Sequence, residues 1–302
     1  MRIGLIGLGD IAQKAYLPVI SGMDGVTPVL CTRNPNVLAR LVQTYNLQEG
    51  YSDVSDLIRA NVDGVMVHTS TEHHVKIIEK LLQANIPTFV DKPISYKLSE
   101  TQRVLELFAN KNLPFFVGFN RRYAPLISSI NERNPVQIKM QKNRVNIPAP
   151  ALTFILDDFI HVLDTLRFLS NGMVEQLDVF SYYQEQQLAS IDVNWRSGKT
   201  MISGSMNRIC GVEEETLELF GQQQKWLVSR LSQGWHYTSA KKTELSFSDW
   251  DSTLYKRGFV SMLQAFIEQV EINKSNATQL DDILKTHQLC DQVFSLCLDN
   301  AR

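Results

Sequence analysis

Three groups of residues in this 302-residue chain have types and spacing suited to chemistry. The first is Gly7-Leu8-Gly9-Asp10-Ile11-Ala12, which closes an apolar run that begins at the second residue. Gly7 allows a tight turn without a Cβ penalty, and Gly9 leaves room for a pyrophosphate to approach the backbone. Ala12 is small enough for a helix to lie close to a sheet. A helix opening at Asp10 and Ile11 offers free N–H groups and positive dipole to an anion. The plain alternative is an ordinary Gly-rich turn; a strand before it and a helix after it favour the dinucleotide reading.

The second group is Lys92, which follows the apolar Thr88–Val90 and precedes Pro93. At the carboxyl end of a parallel strand it would reach the crevice where open α/β sheets bind ligands. A partly desolvated lysine there can hydrogen-bond a carbinol oxygen, its pKa drawn down toward a useful range. Taken alone, it reads more simply as a surface lysine in a turn. The third group is Asp157, His161 and Asp164, four and three residues apart. On a helix these share one face, beside an apolar face of Leu156, Ile160, Leu163, Leu166 and Leu169. Imidazole titrates near neutrality, which suits general acid–base work. A core histidine with a capping carboxylate is the alternative. Asp158 competes with Asp157 as the inward carboxylate; the four-residue spacing to His161 favours Asp157.

Positioning these residues requires two domains, which the chain length allows. The first ~120 residues alternate strand and helix patterns, predicting a Rossmann-type α/β domain with a doubly wound parallel sheet. Its strands are expected at Ile3–Ile6, Thr27–Cys31, Gly64–Val67, Thr88–Val90 and Phe115–Val117, with helices opening near Asp10, Pro35, Ser52, Thr71 and Ser99. Asn34-Pro35 places Pro in a first helical turn, and Ser99 with Gln102 has the spacing of a capping box. After Arg121 the rhythm changes. Val136–Val145, Glu175–Tyr183, Leu188–Arg196, Thr200–Asn207, Glu214–Phe220 and Gln224–Leu231 read as successive antiparallel strands, with turns at Asn171-Gly172, Ser197-Gly198 and Phe220-Gly221. An α+β domain with a mainly antiparallel open sheet is expected, so the domains divide as residues 1–119 and 120–302. Trp195, Met201, Ile202, Met206 and Trp226 suggest an apolar sheet face covered by a partner subunit in a homodimer or homotetramer. Helices are expected over Arg257–Asn273 and Gln279–Leu298.

Composition excludes several classes. The hydrophobic share of 44%, charged share of 21% and net charge of -2 fit a globular protein and give no electrostatic case for nucleic acid or an anionic membrane. No apolar stretch reaches bilayer-spanning length, and the N-terminal run lacks a leader pattern. Cys31, Cys210, Cys290 and Cys297 show no C-x-x-C, which fits buried thiols in a reducing, cytoplasmic setting. His68, His73 and His74 lie close together without a completing ligand set, so no metal is expected.

Cofactor choice is read at the end of the second strand. An acidic residue about 20 positions after the glycine turn would favour NAD. Here Leu30-Cys31-Thr32-Arg33-Asn34 has none: Thr32 holds the acidic position and Arg33 follows. A hydroxyl and a guanidinium suit a 2′-phosphate, which predicts NADP(H) over NAD(H). An Arg33 that only stacks on adenine would not discriminate.

Four segments carry a family resemblance. The glycine turn is followed by His68-Thr69-Ser70-Thr71-Glu72-His73-His74, similar to T-P-x-x-x-H with Ser70 for the Pro and His74 at the His. Val90-Asp91-Lys92-Pro93 resembles E-K-P with Asp for Glu. Val117-Gly118-Phe119-Asn120-Arg121-Arg122-Tyr123 resembles G-x-N-x-R-[FY], and Asp157 to Asp164 resembles D-x-G-x-H-x-x-D. Together these resemble the Gfo/Idh/MocA family of nicotinamide-dependent oxidoreductases, most closely its MviM branch. The resemblance implies hydride transfer between NAD(P) and a sugar, inositol or related polyol derivative. It implies a catalytic set of Lys92, Asp157 and His161, with His161 as acid/base, Asp157 on a substrate hydroxyl and Lys92 at the reacting oxygen. It also implies a cis Lys92–Pro93 bond and a last helix that returns to the first domain. Ser70, His74 and Asn120 fall near the cofactor, His74 reading equally as a packing residue. Arg122 divides between a ligand contact and a domain-joining ion pair. Phe159 replaces the family Gly, which would narrow the pocket, and the loop Ala149–Ile155 would fold over the crevice. Phe159 also gives a foothold to a catalytically silent sensor. Use of the cofactor for hydrolysis or elimination is a third possibility.

Overall fold

The computed structural model describes residues 1–132, 134–170 and 173–300; the Asn171-Gly172 turn lies outside the described residues. Two compact units result: Met1–Gly118 with Phe259–Leu284, and Phe119–Gly258 with the chain from Lys285 onward.

The first unit holds β1 (Arg2–Ile6), β2 (Thr27–Cys31), β3 (Gly50–Tyr51), β4 (Gly64–Val67), β5 (Thr88–Val90) and β6 (Phe115–Val117). They pair in parallel in the order β3-β2-β1-β4-β5-β6, the Rossmann order, with its reversal between β1 and β4. Ile3, Leu5, Val65, Met66, Val67, Phe89 and Phe115 are fully buried, as strands covered on both faces require. The helix Phe259–Ile272 supplies part of that cover: Phe266 meets Phe89 edge-on at 5.5 Å. The segment that returns to this unit is therefore Phe259–Leu284, whereas the last helix, Ala277–Asn300, passes to the second unit at Lys285.

Local chemistry sets the helix starts. Asn34 Oδ1 accepts from the N–H groups of Asn36 and Val37 at 3.1 and 3.2 Å, ahead of Pro35–Thr44. Asp53 does the same for Val54–Arg59 through Ser55 N at 2.7 Å. The expected Ser99–Gln102 box does not form. Ser99 lies inside the helix Leu98–Asn110, and Gln102 donates to Glu106 one turn on. Ser95 fixes that entrance instead, accepting from Lys97 N at 3.1 Å and donating to Glu100 at 2.6 Å.

The second unit holds β7 (Gln137–Asn143), β8 (Glu175–Gln184), β9 (Gln187–Ser197), β10 (Thr200–Asn207), β11 (Glu214–Phe220), β12 (Gln224–Ser229), β13 (Gln233–Thr238) and β14 (Lys241–Leu245). They form one sheet in the order β14-β13-β12-β11-β7-β10-β9-β8. All neighbours are antiparallel except β7 and β10, which run parallel, so the expected succession of antiparallel pairs breaks at the centre. The helix Ile160–Ser170 packs on β7 and β10. Gly204 admits it closely, since a Cβ there would sit 2.7 Å from Leu166 Cδ1.

The aromatic and methionine residues expected on the open face divide by strand parity. Trp195, Ile202, Met206 and Trp226 are buried, and only Met201 is exposed. Phe180 and Tyr182 join Met201 among the exposed residues, with Lys139, Gln141, Asp192 and Arg196. Most of the expected loop Ala149–Ile155 is helix: Ala149 bridges Leu188, the helix opens at Ala151, and Phe154 and Ile155 are fully buried. Among the described residues no helix is long and apolar enough to cross a membrane.

Candidate active site

Gly7 adopts φ +88°, and its N–H donates to Cys31 O at 3.0 Å, tying the turn to the end of β2. A Cβ on Gly7 would lie 2.7 Å from Thr69 N and 2.8 Å from His68 C. Only glycine fits such a conformation and such a backbone approach. A Cβ on Gly9, by contrast, would meet nothing within 4 Å. Packing within the protein therefore gives no reason for glycine there, and the open space above it fits a pyrophosphate brought against the backbone. Ala12 is fully buried against the sheet, whereas Asp10 and Ile11 are exposed at the head of the helix. Asp10 pairs with Lys14 at 2.7 Å on that surface. The turn thus has the shape and the donors to hold the diphosphate of a dinucleotide.

At the end of β2, Thr32 N donates to Tyr51 O at 3.0 Å, and Thr32 Oγ1 accepts from Asn34 N at 3.4 Å. Arg33 is exposed in the loop that follows. Ser70 occupies the cap position of the short 3-10 turn Thr71–His73 without bonding its N–H groups. His74 is buried, Nδ1 standing 2.9 Å from Pro93 O and Nε2 2.9 Å from Thr69 O. Burial lowers its pKa against the pull of Asp91, so the neutral ring donates to one carbonyl and braces the loop after β4 against the turn after β5.

Asp91 follows β5 and anchors a network that sequence reading had not assembled. Its carboxylate accepts from the Tyr16 hydroxyl and from His68 Nδ1, the latter at 2.8 Å. Burial alone would raise the Asp91 pKa. The charge and hydrogen bond of His68, with the Tyr16 hydroxyl, outweigh it and hold the carboxyl below its ordinary value. Burial and the neighbouring Asp91 push the Tyr16 phenol well above its usual pKa. The Tyr16 and His68 rings lie 4.0 Å apart, and His68 Nε2 is buried without a hydrogen-bond partner. Lys92, half-buried, follows directly, and the Lys92–Pro93 peptide is cis. His68 and His74 have different hydrogen-bond partners, Asp91 for the one and the Pro93 and Thr69 carbonyls for the other. Among the described residues no group of three His, Cys, Asp or Glu side chains is arranged to hold a metal.

In the second unit the helix bearing Asp157 and His161 opens at Ala151–Thr153, widens into a π-helical segment over Phe154–Phe159, and continues as Ile160–Ser170. Asp157 and His161 are half-exposed. Asp158 is buried beneath three cations. Lys142 Nζ contacts it directly, Arg144 Nε lies at 3.1 Å, and Arg208 Nη2 at 2.9 Å. Burial would raise its pKa, but Lys142 and Arg144 hold it far below the carboxylate range. Lys142 is pushed down to about 7 by burial and by Arg121, although Asp158 pulls the other way. Phe159 is fully buried in the core, so it narrows no open pocket, and the silent-sensor reading loses its foothold. Asp164 does not share an open face with Asp157. It is buried, pairing with Arg122 Nε at 2.9 Å and accepting from Thr286 Oγ1 at 2.8 Å. That ion pair lies wholly inside the second unit, so Arg122 joins no domains through it. Asn120 Nδ2 donates to Arg257 O at 2.9 Å, joining the two points where the chain enters and leaves this unit.

A parallel sheet in Rossmann order with an open glycine turn on its first βα unit is the architecture of a nucleotide-binding domain. Comparison with known proteins makes the class specific. Residues 1–119 match the oxidoreductase family with an NAD-binding Rossmann fold, and residues 123–237 match a YceM-like C-terminal domain. YceM of Salmonella typhimurium is 30% identical over 278 residues, covering 90% of each chain. The myo-inositol 2-dehydrogenase of Thermotoga maritima is 25% identical over 247 residues, covering 74% of this chain and 73% of that one. Among solved structures, a Gfo/Idh/MocA family oxidoreductase from Vibrio cholerae superposes with TM-score 0.92 at 33% identity, covering 98% of both chains. The dehydrogenase MviM of Clostridium difficile gives TM-score 0.92 at 28% identity, covering 98% of this chain and 99% of that one. The chain belongs to the Gfo/Idh/MocA family and is an NAD(P)-dependent oxidoreductase.

Proposed function

We propose that this enzyme transfers hydride between NADP(H), in preference to NAD(H), and the carbinol carbon of a sugar, inositol or related polyol derivative. The observation that carries the reading is the pairing of a locked Gly7 with open space at Gly9 on the first βα turn. Bound there, the cofactor supplies the nicotinamide ring that accepts or returns hydride. Gly7, Gly9, Asp10, Ile11 and Ala12 hold its diphosphate through backbone N–H groups and helix dipole. Thr32 and Arg33 take the adenosine phosphate. Ser70 borders the site, while His74 and Asn120, whose polar atoms hold backbone carbonyls, fix the loops around it.

Lys92 hydrogen-bonds the reacting oxygen, His161 takes or returns the hydroxyl proton, and Asp157 orients the substrate through a neighbouring hydroxyl. The inositol dehydrogenase relative supports the polyol class, and the Clostridium difficile structure supports a place in the MviM branch. Exposed Phe180, Tyr182 and Met201 on the open sheet support a homodimer or homotetramer. Four cysteines that form no disulfide support a cytoplasmic setting.

The test is cofactor reduction across a panel of polyols and sugars. At least one substrate should give net NADPH, and Lys92→Ala should abolish turnover with cofactor affinity held within about threefold. Tight cofactor binding without turnover on any panel member, or product without net reduction, would contradict the reading.

A further inference from the structure

The Asp91 network is more elaborate than packing requires. It draws on four elements that end or begin at the same edge of the first unit: Tyr16 from the helix after the glycine turn, His68 after β4, Asp91 after β5 and Gly118 after β6. Gly118 leaves the space the network occupies, for a Cβ there would stand 2.9 Å from the Tyr16 hydroxyl and 3.2 Å from Asp91 Oδ1. Tyr16 closes the π-helical segment Ala12–Tyr16, a widened turn of a kind that recurs at functional sites. Removing a carboxylate from water is costly, and an apolar side chain of similar volume would stabilise the fold as well. Stability therefore does not account for a carboxylate at this position.

Its place in the chain does. Residues on both sides of Lys92 are pinned: Asp91 by Tyr16 and His68, Pro93 through its carbonyl by His74. The titratable groups facing the Asp91 carboxylate are Tyr16, His68 and His74, with Lys92 as the next residue; Phe89 and Phe259 wall Tyr16 at 5.6 and 5.3 Å. An ionised carboxylate held on the neighbouring residue favours the charged form of an amine.

We propose that Asp91, clamped by Tyr16 and His68, is the positioning residue that aims Lys92 and sets its protonation. The inference rests on the reading of Lys92 as the group at the reacting oxygen. Tyr16 links it to the cofactor turn, since the helix that begins at that turn also delivers the phenol.

Carbon-13 NMR of the lysine ε-carbons in the cofactor-free protein tests it, the Lys92 signal being identified by its loss in Lys92→Ala. Asp91→Asn keeps the shape and removes the charge. It should lower the Lys92 pKa by about half a unit or more and cut kcat about tenfold, with cofactor affinity within about threefold. Tyr16→Phe leaves the carboxylate less neutralised and should move the Lys92 pKa upward. His68→Gln keeps a donor and should move it least; Tyr16→Phe serves as the test if Asp91→Asn fails to fold. A Lys92 titration that stays within about 0.2 units in every variant, with only a lower melting temperature, would reduce the network to packing and overturn the proposal. Should Lys92→Ala remain active while the Lys92 titration moves as described, the functional reading would fall and the coupling would stand. The reverse pair of results would keep the function and remove the coupling.

Discussion

Around Gly7 the chain is held by backbone, and around Asp158 by charge. The glycine turn needs only its own φ of +88° and the passing strand at His68 and Thr69. Asp158 needs Lys142 and Arg144 from β7 and its extension, and Arg208 from beyond β10. The first arrangement leaves the space beside Gly9 open, with no protein atom within 4 Å of a Cβ placed there. The second fills the space beneath the helix that carries Asp157 and His161, and so fixes where that helix sits. A backbone turn is rigid because sterics permit one conformation, whereas a buried ion cluster is rigid only while every partner is present.

Removing one partner should break the second arrangement more severely. Asp158→Ala leaves three cations facing one another in a buried site and should cost about 3–5 kcal/mol of stability, read by chemical denaturation. A loss under about 1 kcal/mol would mean that the cluster is solvated. Gly7→Ala should follow at about 2–4 kcal/mol, from a strained φ and a collision with backbone that cannot yield, together with loss of cofactor binding. Retained cofactor affinity in that variant would show that the turn tolerates another geometry.

The charged site should also respond to pH where the backbone site does not. Asp158 is held below its unfolded pKa, so its contribution is complete above about pH 4 and is lost as pH falls toward the folded value. Lys142 runs the other way, from 10.5 down to about 7. Between those values the unfolded chain binds more protons than the folded one, so stability rises as pH climbs from about 7 toward 10. Lys142→Met should flatten that alkaline rise in denaturation curves; an unchanged slope would assign it to another group. The smallest expected effect is at Arg33. Arg33→Asp should lower the NADPH-to-NADH affinity ratio about tenfold, and an unchanged ratio would remove Arg33 from cofactor choice.

The contrast explains what could be read from sequence. The glycine turn, five of the six Rossmann strands, the helix start at Pro35 and the helix bearing Asp157 and His161 rest on neighbours in the chain, and local pattern reveals such features. β3 is two residues long and carries no period. The Ser95 turn supplanted the Ser99–Gln102 box because the helix begins one residue before Ser99. Tyr16 and Asp91 are 75 residues apart, and Asp158 and Arg208 are 50 apart. No spacing rule joins pairs so distant. Asp164 showed the right period for a face shared with His161, but its partner Arg122 lies 42 residues earlier and draws it into the core. In the second sheet, Trp195, Met201, Ile202, Met206 and Trp226 read as one apolar face, but neighbours Met201 and Ile202 point to opposite sides, and composition could not show that a helix of the same unit packs on the sheet.

The central claim is that a dinucleotide rests on the first βα turn because Gly9 leaves its face open. Calorimetric titration of NADPH and NADH into the wild-type protein and Gly9→Ala tests this directly, because a Cβ at that position disturbs no protein atom within 4 Å. The account predicts binding to the wild type, a loss of at least about tenfold in Gly9→Ala, and the same melting temperature for both proteins without cofactor. Equal affinity in the two proteins, or no heat from the wild type with either coenzyme, would contradict it.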